Sequence, residues 1–394
     1  MRLQAGDLWG GAAAAVVALP AAIGFGVAIY EPLGQAFNSQ GAMAGMVGAT
    51  LLGVVAALFG GCKRLISAPC APAAAVLSAV MLQLSQGGMP VNQLLVSLFL
   101  ISLISACFQL LFGLSKFGAL IKFMPYPVVA GYLAGVGLII VGSQTPKWLG
   151  IPGNVNLWIA ITSPELWRAP CTIVGLVAMV IMFFAPKLTK RVPAVILALA
   201  GSALTYWLLG FWDPALRVLE GNSYIVGPLG GSSFGNEAGS SLGGLSNFFS
   251  SVLRPWELLF NVQFPTFGSI IYPALTLAIL LSIDTLKTCI VLDTLTHSRH
   301  DSNKELMGQG LGNLASAIFS GMPGAGTMGA TLVNISSGAR SSASGVIAGA
   351  SVLLVYVLLA PWLAWLPLAS LGAILTVIGI KMIDRHSLSL IKTS

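Results

Sequence analysis

The sequence predicts an all-α polytopic membrane protein. Of its 394 residues, 56% are hydrophobic and only 8% are charged, whereas about a quarter of the residues in a soluble domain are charged. Apolar runs long enough to cross a bilayer recur along the chain, each near the ~20 residues that span the hydrocarbon core. Two of the runs are short and are broken by glycine and proline. Together these features indicate helices arranged as two related halves.

Twelve spans are predicted, and the basic residues orient them. With the N-terminus in the cytoplasm, fourteen Lys and Arg residues fall in cytoplasmic loops and four fall outside, as the positive-inside rule requires. We therefore expect a multi-pass protein of the plasma (inner) membrane with its N-terminus in the cytoplasm. The spans cover residues 9–30, 41–60, 70–86, 93–113, 126–144, 169–186, 192–211, 268–292, 304–320, 327–338, 341–361 and 364–383.

The third and tenth spans are the two short ones. SAPCAP at 67–72 precedes one of them, and GMPGAG at 321–326 precedes the other. Non-helical backbone at membrane depth is tolerated where it is buried in protein or lines a cavity. Short, interrupted spans at matching places in two halves are typical of a transporter binding site. Because seven crossings separate them, the halves are predicted to be inverted repeats of seven.

The apolar stretch Ile270–Leu292 of the eighth span carries a carboxylate deep inside it. A charge at mid-bilayer costs about 2.5–3.5 kcal/mol on insertion scales, so Asp284 is predicted to face an ion, a substrate or a partner. With Thr288 it offers hard oxygen ligands suited to sodium. Three roles remain open for Lys287: it pairs with Asp284, it replaces sodium as the counter-charge, or it extends toward the cytoplasm. A purely structural Asp284–Lys287 pair is the simpler alternative.

The starts of the short helices, Cys70–Ala73 and Gly326–Gly329, are the predicted anion site. The first turn of a helix offers free N–H groups and the positive end of the dipole, and small side chains let an anion reach the backbone. Close helix packing is the alternative explanation for the small residues. Phe25, in the LPAAIGFG stretch of the first span, is a candidate wall residue.

Other classes of protein are disfavoured. The net charge of +7 is spread over loops, which argues against a nucleic-acid surface. The five cysteines lack metal-ligand spacing, and the three histidines, His297, His300 and His386, are expected to be solvated. The sequence shows no nucleophile–base constellation and no phosphate loop, so neither an enzyme nor a cofactor is expected.

Four stretches resemble one family of membrane proteins. FMPYPVVAGYLAGVGLIIVGSQ at 123–144 is similar to the fifth-helix signature of the sulphate permease (SulP) anion transporters, relatives of prestin and pendrin. GGCKRLISAPCAPAAAVLSAV at 60–80 resembles the family's third helix. DSNKELMGQGLGN at 301–313 resembles its link into the ninth helix, and GMPGAGTMGATLVNISSGARSSASG at 321–345 its tenth helix and the turn after it.

The resemblance implies a seven-plus-seven inverted-repeat fold with a core and a gate domain. On this basis residues 1–113 and 267–361 form the core, 114–211 and 362–394 the gate, and 212–266 an external linker rich in Gly and Ser. The chain is expected to lack the last two helices and the cytoplasmic STAS domain. The anion is implied to lie between the third and tenth helices at Cys70, Ala71, Gly326, Thr327, Met328 and Phe25.

Within the family, the pattern looks closest to cyanobacterial sodium-dependent bicarbonate transporters. They are implied to bind sodium through an aspartate and a threonine of the eighth helix, which places sodium here at Asp284, Thr288 and Gly326. Three features depart from the family. Residues 326–331 lack the arginine of many anion exchangers, Cys70 replaces a threonine, and Thr327 and Met328 also differ.

The predicted function is secondary transport of a small inorganic oxyanion, bicarbonate first and sulphate second, by symport with sodium. A nucleobase:cation symporter of the same fold and an uncoupled anion channel or exchanger are the alternatives. The expected partners are the anion, sodium as the coupling ion and the lipid bilayer, and a homodimer is left open.

Overall fold

The computed structural model describes residues 4–121, 126–151, 157–189, 193–219, 221–229, 255–259 and 267–383. The chain divides into two compact units. The first consists of Met1–Phe123 and Gly230–Leu359, and the second of Met124–Leu229 and Ala360–Ser394. The chain therefore passes from the first unit to the second twice. The roles of core and gate domain stay predictions.

The described residues are mostly helical, and a helix overlaps each of the twelve predicted spans. Six helices are long and apolar enough to cross a membrane, and three shorter ones are also apolar. The elements are α1 Ala5–Tyr30, α2 Asn38–Phe59, β1 Ser67–Pro69, α3 Ala71–Gln86, α4 Val91–Leu114, α5 Gly118–Ile121, α6 Tyr126–Trp148, α7 Leu157–Thr162, α8 Ala169–Leu188, α9 Ala194–Leu209, α10 Phe267–Thr296, α11 Ser302–Ile318, β2 Gly324–Gly326, α12 Met328–Ser336, α13 Ala343–Leu363 and α14 Leu368–Met382. Four short 3-10 helices lie between them.

Helices α1 and α2 pack with their backbones almost in contact. A Cβ atom on Gly26 would lie 2.0 Å from the carbonyl oxygen of Gly41, and one on Gly45 would lie 2.0 Å from that of Ala22. Glycines four residues apart on one helix face let two apolar helices approach this closely. The start of α1 is also fixed, because the buried Asp7 accepts hydrogen bonds from the backbone N–H groups of Arg340 and Ser341.

The two short spans begin as predicted, with extended segments that here form a two-stranded antiparallel ladder. Ser67 lies opposite Gly326, Ala68 opposite Ala325 and Pro69 opposite Gly324. All six residues are buried. Helix α3, with 16 residues, follows β1, and helix α12, with only nine, follows β2.

Side chains from α11 support this ladder. Asn313 binds both backbone groups of Gly324: its Nδ2 donates to the carbonyl at 2.9 Å, and its Oδ1 accepts from the N–H at 2.8 Å. One turn earlier, Gln309 Nε2 donates to the Ser67 hydroxyl. Two turns earlier, Glu305 accepts from the Gln309 side chain and from the N–H of Cys62. Residues 305, 309 and 313 therefore form one polar stripe on α11.

Two polar residues of the first unit are buried. Glu305, near the start of the predicted span 304–320, is 1% exposed. His300 is not solvated: its Nδ1 lies 2.6 Å from Asp293 Oδ2 and its Nε2 lies 3.0 Å from the Ser302 hydroxyl. His297 is exposed, as expected, whereas His386 lies outside the described residues.

In the second unit, α6 packs against α14 and α8 packs against α9. The first part of the predicted linker 212–266 packs on these helices. Leu216 and Ile225 are buried with Tyr206 in one cluster, and the N–H of Val226 donates to the carbonyl of Leu366 at 3.0 Å. Residues 230–254, 260–266 and 384–394 lie outside the described part of the chain.

The ladder predicts a stability defect in Asn313→Leu. The variant leaves the N–H and C=O of Gly324 without their partners, and a buried unsatisfied group costs about 1–3 kcal/mol. We expect the purified protein in detergent to unfold at a clearly lower temperature, as followed by thermal fluorescence. The same change at the exposed Asn92 is the matched control. Equal unfolding temperatures of both variants and the unmodified protein would contradict the assigned role of Asn313.

Candidate functional site

Helices α3 and α12 begin at opposite ends of the ladder. Because β1 and β2 are antiparallel and Ser67 faces Gly326, the helix after β1 leaves in one direction and the helix after β2 leaves in the other. Three residue pairs separate the two starts, a length of about 10 Å at ~3.3 Å per residue. Both positive helix ends therefore lie next to the same short ladder.

The residues at these helix starts are small or leave the backbone accessible. Cys70 and Ala71 at the start of α3 are buried, with exposures of 4% and 7%. At the start of α12, Thr327 and Met328 are half-buried and Gly329 is exposed. The first N–H groups of each helix have no partner within that helix. This is the arrangement that binds anions at helix N-termini.

Thr327 connects the start of α12 to β1. Its backbone N–H donates to the carbonyl of Ile66 at 2.8 Å, and its hydroxyl reaches the same oxygen at 3.2 Å. Ile66 in turn donates its N–H to the Thr331 hydroxyl at 3.1 Å. The hydroxyl of Thr327 is therefore engaged as a donor, which leaves its oxygen lone pairs to face other groups.

Helix α10 brings two threonines to the outer edge of β2. The N–H of Gly326 donates to the Thr285 hydroxyl at 3.0 Å. The Thr288 hydroxyl lies 2.9 Å from the carbonyl oxygen of Gly326 and 2.9 Å from that of Asp284. Three residues predicted from the sequence, Asp284, Thr288 and Gly326, are thus neighbours in the structure. Thr285 was not predicted, although it lies one residue from Asp284.

Asp284 forms an ion pair with Lys287. The Lys287 ammonium lies 2.7 Å from Asp284 Oδ1, and the side chains are 12% exposed for the aspartate and 27% for the lysine. Of the three roles left open by the sequence, the structure shows the pairing. An i,i+3 spacing on a helix permits such a contact, and burial reduces its screening by water.

The chemistry of this cluster suits a hard cation. A carboxylate, a hydroxyl and a backbone carbonyl are oxygen ligands of the type that hard cations prefer. Asp284, Thr288 and Gly326 could hold sodium, with the Lys287 ammonium already on one carboxylate oxygen. The described residues include no group of three or more His, Cys, Asp or Glu that could hold a metal ion.

Phe25 is buried on α1, with 4% exposure, and α1 packs against both α3 and β1. This places the residue in the same unit as the two helix starts. Its role as a wall of the anion site stays a prediction.

A substitution at Gly326 would be crowded, because an added Cβ would meet the Leu65 side chain at 2.8 Å.

Comparisons with known proteins agree with this architecture. Residues 5–394 match the Sulfate permease family. The chain is 33% identical over 386 residues to the bicarbonate transporter BicA of Picosynechococcus sp., covering 96% of this chain and 62% of the relative. It is 28% identical over 391 residues to the putative sulfate transporter YvdB of Bacillus subtilis, covering 97% and 65%. The chain therefore spans less than two thirds of these relatives.

Solved structures of transporters also match the fold of this chain. The transmembrane domain of a cyanobacterial BicA bicarbonate transporter matches with a TM-score of 0.78 and 34% identity, covering 96% of this chain and 88% of that one. The murine Slc26a9 anion transporter, at 17% identity, matches in fold with a TM-score of 0.76, covering 100% and 64%.

The names of these relatives describe transporters, which points away from an enzyme. The match to this family extends over nearly the whole chain, and the apolar helices described above are those of a multi-pass membrane protein. The chain belongs to the sulfate permease family of integral membrane proteins.

Proposed function

We propose that this protein is a secondary active transporter of a small inorganic oxyanion, with bicarbonate as the first candidate and sulfate as the second, driven by symport with sodium. One observation carries the proposal: two helix starts lie at the ends of one ladder, and the Asp284–Thr288–Gly326 oxygen cluster adjoins the same ladder. An anion and a cation bound there would lower each other's burial cost.

The charge balance favours a monovalent anion. Each helix N-terminus carries about +0.5 of an elementary charge, so two of them supply about +1. Residues 326–331 contain no basic side chain, and Lys287 is already paired with Asp284. This balance matches bicarbonate more closely than doubly charged sulfate. The same balance disfavours a neutral nucleobase, because two positive helix ends give little electrostatic stabilisation to an uncharged ligand.

The proposed membrane location and orientation are inferred from the distribution of basic residues among the loops. The transporter would lie in the plasma (inner) membrane with its N-terminus in the cytoplasm, and motion of the predicted core domain against the predicted gate domain would alternate access. An uncoupled channel or exchanger is the alternative that a sodium gradient tests directly. A homodimer is compatible with this proposal but does not enter its chemistry.

Uptake into proteoliposomes tests the substrate and the coupling together. We expect labelled bicarbonate to accumulate when an inward sodium gradient is imposed and to stop accumulating when choline replaces sodium. Labelled sulfate should enter more slowly, and uracil should not enter. Gradient-independent equilibration of bicarbonate would indicate a channel or exchanger, and uptake of uracil in preference to both anions would overturn the proposed substrate class.

Asp284→Asn keeps the shape of the side chain and removes its charge. We expect it to abolish sodium dependence and to weaken anion uptake, because bound sodium and anion should favour each other by about 1–3 kcal/mol. Expression and the elution volume in size-exclusion chromatography serve as checks of folding. Sodium-driven uptake at the unmodified rate would refute the cation site.

Thr288→Ala should raise the sodium concentration needed for half-maximal uptake less than Asp284→Asn does, because it deletes one neutral oxygen ligand. It also leaves the carbonyl of Gly326 without the hydroxyl 2.9 Å away. Thr288→Ser retains that oxygen and is the matched control. Indistinguishable sodium titrations of the alanine and serine variants would exclude the hydroxyl as a ligand.

A further inference from the structure

We propose that Lys287 is a tethered cation that neutralises Asp284 when sodium is absent and gives way when sodium binds. The inference rests on the proposed sodium site and adds a role for a residue outside the predicted ligand set. In this scheme sodium and the lysine ammonium compete for one carboxylate. The lysine thereby keeps the sodium-free carrier from exposing an unbalanced charge.

The geometry of the pair carries the first step. The ammonium sits 2.7 Å from Oδ1 of Asp284, which is a contact between charged atoms, with no gap for an intervening ion. The Thr288 hydroxyl and the Gly326 carbonyl are joined to each other at 2.9 Å, and the same hydroxyl reaches the Asp284 carbonyl. A cation bridging these oxygens to the carboxylate would therefore approach the group that already holds the ammonium.

Differences in burial carry the second step. The lysine side chain is 27% exposed and the aspartate side chain 12%. A lysine has four rotatable methylenes and a compact charge, so the ammonium can leave the carboxylate by rotamer changes alone. The aspartate side chain, by contrast, is shorter and is the more buried of the two. Release of the lysine thus requires no change in the backbone of α10.

Electrostatics carries the third step. A carboxylate left without a partner in a site this buried is costly, since removing one member of a buried pair leaves an uncompensated charge. Sodium and ammonium carry the same charge, so either one balances Asp284. Two cations on one carboxylate would leave a net positive charge in the apolar surroundings. Binding of one should therefore weaken binding of the other.

The competition has a consequence for the transport cycle. With sodium bound, the lysine is displaced and the site holds the cation that accompanies the anion. After both ions leave, the lysine returns to Asp284, and the empty carrier reorients with this carboxylate neutralised. Lys287 would set the apparent sodium affinity and would support the return of the empty carrier.

Sodium-dependent thermal stabilisation tests the inference without relying on transport. Purified protein is unfolded in detergent at increasing NaCl, with choline chloride keeping the ionic strength constant. Lys287→Met should be less stable than the unmodified protein without sodium. Sodium should restore its stability, with a half-saturating concentration about 5- to 150-fold lower than in the unmodified protein, the range typical of coupled sites. Lys287→Arg keeps the charge and should retain a weak sodium response.

Two further variants keep the test decisive. Lys381→Met makes the same change at an exposed lysine of the second unit and should leave the sodium response unmodified. Asp284→Asn/Lys287→Met removes both charges, so it should fold without sodium and show no sodium response. If Lys287→Met alone does not fold without sodium, folding of the double variant would show that the unpaired Asp284 charge is the cause.

The outcomes separate the inference from the proposed function. An unchanged or weaker sodium affinity in Lys287→Met, with sodium-driven bicarbonate uptake intact, would overturn the role of Lys287 alone. A sodium response that appears only in Lys287→Met would support the competition and would overturn sodium coupling in the unmodified protein. No sodium response in either protein would overturn both.

Discussion

The three-residue ladder between β1 and β2 imposes the constraint on which the first unit depends, because its outer edges must be satisfied by side chains. In a pair of strands, alternate residues turn their N–H and C=O groups away from the partner. Gly324 and Gly326 both face outward on β2, and between them they are bound by Asn313, Thr285 and Thr288. On β1, Pro69 has no N–H to satisfy. Apolar surroundings make an unpaired group costly.

This constraint explains why polar residues of the site have two tasks. Thr288 satisfies a strand edge and is a candidate cation ligand, and Asp284 lies on the same helix one turn away. A hydroxyl that donates to the Gly326 carbonyl keeps its own lone pairs for another group. The candidate cation site therefore consists of groups that the ladder already requires, with the carboxylate as the added charge.

Much of this arrangement could be predicted from the sequence. Asp284 stands out in an apolar run, and the interrupted spans mark where α3 and α12 begin. The supporting residues were harder to find. Glu305 lies in the first turns of a helix, where carboxylates are usually solvated. Here it is covered because the N–H groups of Gly61 and Cys62 bind it. The four-residue spacing of Glu305, Gln309 and Asn313 was the available signal.

Other features depend on side-chain conformations that spacing does not determine. Lys287 lies within reach of Asp284 but its side chain is also 27% exposed, and the pairing is set by the rotamer it adopts. His300 follows the end of a helix in a polar stretch of sequence, yet it is buried and forms hydrogen bonds with Asp293 and Ser302. Residues 212–229 were expected to be part of a linker because the segment that follows them is rich in Gly and Ser. Leu216 and Ile225 nevertheless make apolar contacts with the helices of the second unit.

The register of the ladder also constrains the number of residues in each strand. Inserting one residue within 67–69 or 324–326 would exchange inward and outward groups, since the alternation has a period of two. The N–H and C=O groups now held by Asn313 and the two threonines would then face β1, and their former partners would be left unmatched. A single insertion therefore shifts the pairing of every residue that follows it in the strand.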